Sequence, residues 1–171
     1  DVTMRNTPAG GSERVVSGTI LVVSTVAASG EFDHAAVTPS DEYYTPGSSV
    51  TLTADAMDYS GAPAKALPED VSFTVSDETM GTVTAAAVNG SSASATFVSS
   101  GKTGDVTVSL VSGGRTVGTA VLHIQNPDKL AFTSSEVNLN YNEVSDLGFK
   151  ATYQTETVHL QDSDIQWTVS D

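Results

Sequence analysis

The chain has 171 residues, 39% of them hydrophobic, with 7 basic against 21 acidic residues and a formal net charge of −14. An acidic surface of this kind repels a phosphate backbone and an anionic bilayer, so nucleic acid and membrane insertion are excluded as partners. There are no cysteines, which removes disulfides, thiolate nucleophiles and cysteine-ligated zinc; a Ser/Thr-rich, acidic, cysteine-free composition fits an exported bacterial protein.

Residues 1–30 differ from the rest in charge, with Asp1 and Glu13 balancing Arg5 and Arg14. Asn6-Thr7-Pro8-Ala9-Gly10-Gly11 is a turn-forming cluster. Arg14 to Thr25 reads as a strand around Val15-Val16 and Ile20-Leu21-Val22-Val23, broken near Ser17-Gly18. The run Ile20–Val23 is the longest apolar one, far short of a membrane span. Asp1 reads as an excision start with targeting information lost upstream. Ala27-Ala28-Ser29-Gly30 is a small-residue linker, and a domain boundary is expected there.

From Phe32 the alternation of apolar and polar residues is that of strands with one buried face. Ala35 to Thr38 is the first, Val50 to Ala56 the second and Val71 to Ser76 the third. Tyr43-Tyr44-Thr45-Pro46-Gly47 reads as a turn, and Asp58 to Glu69 as a loop. Thr82 to Val88 and Ser91 to Val98 flank Asn89-Gly90, a strong hairpin signal, and Asp105 to Val111 and Arg115 to Gln125 flank Gly113-Gly114. Seven short strands at this spacing predict an all-β, immunoglobulin-like β-sandwich. Phe73 falls on the third strand, where that fold commonly buries an aromatic. With no cystine beside it, Leu52, Val108 and Leu110 are expected to fill the volume.

After the linker Gln125-Asn126-Pro127-Asp128, the pattern returns. Leu130-Ala131-Phe132 replays the first strand, and Leu147, Phe149, Ala151 and Tyr153 the second. Ile165-Gln166-Trp167-Thr168-Val169-Ser170-Asp171 repeats Val71-Ser72-Phe73-Thr74-Val75-Ser76-Asp77, and Phe73 and Trp167 lie 167 − 73 = 94 residues apart. The expected organisation is therefore the closing strands of a preceding domain at 1–30, an Ig-like sandwich at 31–126, and the first half of a second module at 127–171.

Several residue groups invite a chemical reading. Gly101-Lys102-Thr103 resembles the tail of a phosphate-binding loop, but position 96 is Thr where that pattern needs Gly, and a turn explains it. Asn89-Gly90-Ser91 matches a glycosylation sequon on a hairpin turn. Asp162-Ser163-Asp164, Asp77-Glu78 and Asp55 with Asp58 could offer oxygens to calcium, although none forms a twelve-residue calcium loop. His34, His123 and His159 share no ligand-like spacing, and Tyr43 and Tyr44, as neighbours on an extended chain, point to opposite faces. No catalytic residue, metal site or cofactor is assigned from these.

Two resemblances add to this. Residues 32–125 and the half copy after Pro127 resemble bacterial immunoglobulin-like repeats, as in the paired Phe73-Thr74-Val75-Ser76-Asp77 and Trp167-Thr168-Val169-Ser170-Asp171. Such repeats occur in secreted and surface multi-domain proteins. Asn6-Thr7-Pro8-Ala9-Gly10-Gly11-Ser12-Glu13-Arg14-Val15-Val16-Ser17 resembles the closing segment of the phosphodiester glycosidases, the family of the N-acetylglucosamine-1-phosphodiester α-N-acetylglucosaminidases. Asn6, Pro8, Gly11, Glu13, Arg14 and Val16 match, while Ala9-Gly10 replace the usual Ser-Asp. This second resemblance implies that Glu13 and Arg14 contact a sugar phosphodiester, Arg14 as an anion clamp. It also implies that the Ig-like region is a non-catalytic spacer beside such an enzyme, outside the cell or on its surface, with neighbouring domains and polysaccharide or cell wall as partners. The alternative is a structural Ig-like array of a bacterial adhesin or cell-wall protein with no enzymatic role.

Overall fold

The computed structural model describes the backbone of residues 2–6 and 14–18, and residues 29–145 and 147–168 in full. Strand β1 (Val2–Asn6) pairs antiparallel with β2 (Arg14–Gly18). Strand β1 is not marked in the sequence, whose turn signals begin at its last residue, Asn6. The expected strand at Ile20–Val23 lies outside the described residues.

The strands that follow are β3 (His34–Thr38), β4 (Glu42–Tyr44), β5 (Ser49–Met57), β6 (Ser72–Val75), β7 (Gly81–Val83), β8 (Ala87–Asn89), β9 (Ser92–Ser99), β10 (Gly104–Ser112) and β11 (Arg115–Ile124). They form two sheets. One runs β3-β5-β9-β7, with β8 also on β9; the other carries β4-β11-β10-β6. In immunoglobulin lettering the first is the A-B-E-D sheet and the second the G-F-C sheet, with β4 added in parallel to β11. The molecule is an all-β Ig-like sandwich, as its strand pattern predicts.

Both glycine hairpins form. Gly113 and Gly114 have φ of +55° and +76°, the left-handed pair that a type I′ turn requires, and they join Ser112 to its partner Arg115. The segment Thr82–Val88, expected as one strand, is two. Val83 pairs with Phe97 but Ala87 with Ser94, so four residues on one side answer three on the other. The extra residue makes a bulge, where the Thr84 hydroxyl accepts the Thr96 N–H at 2.9 Å.

The core lies between the sheets. Leu52, Val108 and Leu110 are fully buried, as expected, and Phe73 is 6% exposed. Leu110 lies opposite Phe73 in register. Phe97, Leu122 and Ile124 complete the largest buried side chains. Phe97 explains Gly81: a Cβ there would lie 2.6 Å from the Phe97 ring and 2.5 Å from the Val98 carbonyl.

Past the linker come β12 (Lys129–Phe132), β13 (Phe149–Tyr153) and β14 (Glu156–His159), then a 3₁₀ turn at Asp162–Asp164. Strands β12 and β13 repeat β3 and β5 in detail. Leu130 pairs with Ala151 and Phe132 with Phe149, as Ala35 pairs with Ala56 and Val37 with Ala54. All four numbers are displaced by 95, since 130 − 35 and 149 − 54 give the same difference.

Two expectations about this segment are corrected. Strand β13 begins at Phe149, not Leu147, and residues 165–168 form no strand. The cause of the second is pairing. In the first module, β6 is held by β10 alone, and no counterpart of β10 lies beside residues 165–168. Strand β14 was not anticipated either; it is short and its inward side rests on Val158 alone.

Candidate functional site

The stretch Tyr43-Tyr44-Thr45, expected as a turn, holds the most connected constellation in the described residues. Glu42–Tyr44 is strand β4, with β11 on one edge and β14 on the other, both parallel to it. Tyrosine is a good strand former, and the turn signals Pro46-Gly47 only begin beyond it. The Asp41 N–H donates to the Val121 carbonyl at 2.7 Å and the Gln125 N–H to the Tyr44 carbonyl at 2.8 Å. On the other edge the Thr45 N–H donates to the His159 carbonyl at 3.3 Å. The β4 edge, which would otherwise be open, is thus covered, and one seven-stranded sheet runs from β12 to β6 across the linker.

Register decides which side chains meet. Tyr43 lies beside His123 and Tyr44 beside His159. The Tyr43 and His123 rings stack at 4.4 Å, with Tyr153 at 6.3 Å from Tyr43; the Tyr44 and His159 rings stack at 5.0 Å. The two tyrosines serve opposite faces, as the alternation requires, and the ring faces of both are engaged by histidine. They do not form a sugar-stacking platform.

Carboxylates surround the pair. His123 Nδ1 bonds Asp105 Oδ1 at 2.7 Å, and His159 Nε2 bonds Glu42 Oε2 at 3.0 Å. Burial, and after it the Glu42 charge, push the Tyr44 phenol above its usual range. Sequence spacing gave no sign that His123 and His159 flank one strand; the two parallel pairings put them on either edge of β4 and on its opposite faces.

A chain of hydroxyls crosses the same junction. Thr45 Oγ1 donates to Asp164 Oδ2 at 2.6 Å, so it accepts from Ser48 Oγ at 3.0 Å. Thr45 and Ser48 are buried, at 5% and 1% exposure. The Gln161 N–H also donates to Asp164 Oδ2, at 2.9 Å. These hydroxyls are packed under the junction with no histidine in the chain, so the arrangement fixes position and presents no activated nucleophile.

The other candidates separate. Asp58 is 1% exposed and accepts from the Ser60 N–H at 2.9 Å, Ser60 Oγ at 2.6 Å, the Ala62 N–H at 3.1 Å and the Gly30 N–H at 2.9 Å. Its carboxyl is held well below the usual range by Ser60 first and Gly30 next. It ties the start of the module to the turn after β5. Asp77 accepts the Thr79 N–H at 2.8 Å, and Asp55 accepts the Ser92 hydroxyl. Among the described residues no three or more His, Asp or Glu are grouped to hold a metal ion. Lys102 sits in the turn between β9 and β10, its N–H on Ser100 Oγ. Glu13 lies outside the described residues. Arg14 opens β2 opposite Asn6 in the backbone register, and its side chain lies outside what is described. No described helix is long and apolar enough to cross a membrane.

No protein-family profile matches the sequence, and no curated protein matches it. Solved structures do resemble it. Domains 4 and 5 of the S-layer protein SbsC align with a TM-score of 0.44 at 19% identity, over 66% of this chain and 62% of that one. The Yersinia pseudotuberculosis adhesin InvE aligns with a TM-score of 0.44 at 19% identity, over 75% of this chain and 38% of that one. The Lin-41 filamin domain aligns with a TM-score of 0.40 at 15% identity, over 60% of this chain and 98% of that one. The chain thus spans less than two thirds of the S-layer fragment and of the adhesin.

Proposed function

We propose that this chain is a non-catalytic, structural Ig-like region of an exported bacterial surface protein, whose task is to hold successive modules in fixed relation. The observation that carries this is the shared sheet at β4: β14 adds to the edge of the preceding module, and Thr45 donates to Asp164 across the junction. A flexible spacer would leave that edge open. The acidic, cysteine-free composition supports a place outside the cell. The domain division 1–30, 31–126 and 127–171 is part of this reading. So are its partners, neighbouring domains of the same polypeptide and a polysaccharide or cell-wall surface.

The test is orientation. With paramagnetic tags on the first module and on β12–β13, residual dipolar couplings should fit one alignment tensor. Two independent tensors would make the segment after Asn126 a flexible tail.

A finer reading places this region at the C-terminal side of a phosphodiester glycosidase. It is supported by Asn6, Pro8, Gly11, Glu13, Arg14 and Val16 alone. There Arg14 would clamp the phosphodiester with its two-pronged guanidinium and Glu13 would orient it or a sugar hydroxyl. In a protein carrying the whole enzyme domain, Arg14→Ala should lower kcat/KM for an N-acetylglucosamine-1-phosphodiester about tenfold, the loss of one charged hydrogen bond. Full activity of that variant would leave the structural array as the sole reading.

A further inference from the structure

Strand β4 has both edges covered, but β6 (Ser72–Val75), at the far end of the same sheet, is bonded on one side only. The Ser76 N–H donates to the Thr107 carbonyl at 2.9 Å, so Ser72 and Thr74, in phase with it, also aim their backbone groups at β10. The alternation of a strand then turns the N–H and C=O of Phe73 and Val75 outward. Among the described residues no other strand pairs with that side. Two ladder positions, each with a donor and an acceptor, are left open.

The side chains beside this edge are apolar. Phe73 is buried, and Val75 is half-buried against the same core. Strand β7 is the edge of the opposite sheet and lies next to β6 across the sandwich, with Val83 half-buried at its end. The sandwich thus opens on this side onto an apolar lip of Val75 and Val83, below an unpaired strand.

The ends of β6 are charged. Glu69 and Asp70 precede it and Asp77 and Glu78 follow it, all four exposed. Lys102 acts on Asp77 and offsets one of these charges. An open edge is a template for any strand, including the same strand of a second copy. Here the charges oppose that case. If Phe73 of one copy faced Val75 of the other in an antiparallel pair, the same register would set Asp70 opposite Glu78 at both ends. Like charges directly opposite destabilise such a pair. A strand with positive ends meets attraction at the same places.

We propose that the open edge of β6 takes up an extended peptide segment of another protein as an added strand, one with apolar residues at alternate positions and Lys or Arg at both ends. Its backbone completes the ladder at Phe73 and Val75, its inward side chains lie on Val75 and Val83, and its basic ends meet Glu69-Asp70 and Asp77-Glu78. This role is separate from the spacing role and involves neither β14 nor the junction.

The experiment uses the full chain labelled with ¹⁵N and the peptide Lys-Lys-Val-Thr-Val-Thr-Val-Lys-Lys as probe. Titration should give saturable amide shifts and slowed hydrogen exchange at Phe73 and Val75, and leave exchange at Thr74, already bonded to β10, unchanged. The same peptide with Glu in place of every Lys should bind about tenfold more weakly, and the difference should shrink as salt is raised. Pro in place of the central Val removes a ladder donor and should also weaken binding about tenfold. Glu69→Lys with Glu78→Lys, both at exposed positions, should reverse the preference between the two charged peptides.

No saturable change at Phe73 and Val75 would overturn the proposal. Equal binding of the two charged peptides would overturn it too, because the charges at the ends of β6 would then select nothing. Protection confined to β12 would place the acceptor on the opposite edge of the sheet. Slowed exchange at Phe73 that grows with the concentration of the chain alone, together with dimer in sedimentation, would assign the edge to a second copy and equally overturn the proposal. None of these outcomes alters the β4 junction, which the dipolar couplings test separately.

Discussion

Asp58 is the residue on which the first module's beginning depends. A buried carboxylate with four donors is stabilised in its charged form, which keeps its folded pKa below the unfolded one. A group depressed in this way contributes stability that is present above the unfolded pKa, near 3.8 for Asp. That contribution is lost as pH falls through the folded value. Asp70 and Asp77 are lowered for the same reason and share the sign, Asp70 through Ser112 first and Asp77 through Thr79 first. Asp58→Ala should therefore lower Tm at pH 7, and the gap to the unaltered chain should narrow steadily as pH is taken from 5 toward 2. A gap that stays constant with pH would mean the four bonds are indifferent to the charge. The sequence offers Asp58 only as one of the loop carboxylates that could give oxygens to calcium. Its burial depends on the backbone of Gly30, Ser60 and Ala62 returning to one point, which no local pattern announces. The core residues were more legible, because Leu52, Val108 and Leu110 sit at alternating positions of long strands and alternation alone aims them inward. Phe97 obeys the same rule at the end of β9. Phe97→Ala and Phe73→Ala should each cost about 3–5 kcal/mol in urea unfolding; an unchanged midpoint for either would remove it from the core.

At the scale of the element, strand β4 shows where sequence reading stops. Antiparallel hairpins are local, and Asn89-Gly90 and Gly113-Gly114 mark theirs by composition. Parallel pairing joins residues far apart, so Glu42–Tyr44 carries no neighbouring sign of its partners β11 and β14. A three-residue strand is also too short for alternation to show. The same limit hid the pairing of His123 with Tyr43 and of His159 with Tyr44. Strand β14 is held by its hydrogen bonds and by Val158, which is 3% exposed. Val158→Asp would bury a charge with no partner, and the strand should leave the β4 edge instead. The expected result is loss of amide protection at Thr45 and rapid proteolysis beyond Asn126, while the unfolding free energy of the first module changes by no more than about 2 kcal/mol, the burial of one valine. Unchanged protection at Thr45 would show that β14 does not cover that edge.

For the molecule as a whole, the core and the junction are separable. The main buried cluster runs from Ala35 to Ile124, and among the described residues only Ala151 and Val158 are buried apolar side chains beyond it. The sandwich therefore contains both of its own sheets, while residues 127–168 contain one face and borrow an edge. Three strands with one uncovered face lack the opposing layer that stable sheets need. Residues 29–126 alone should unfold cooperatively, at a urea midpoint close to that of the full chain. A peptide of residues 127–171 should show no cooperative transition and a Trp167 emission typical of water. In the full chain Trp167 stacks near Phe132 and Phe149 yet stays half exposed, so its emission should lie between the peptide's and that of a buried indole. The chain 29–126 lacks the strand that covers the β4 edge, and Tyr44 reports on that loss: its phenol should titrate at lower pH in the shorter chain, as the cover of β14 and His159 is removed. Identical Tyr44 titrations in the two chains would mean that β14 does not shield the ring, and the junction would then reduce to the Thr45–Asp164 bond.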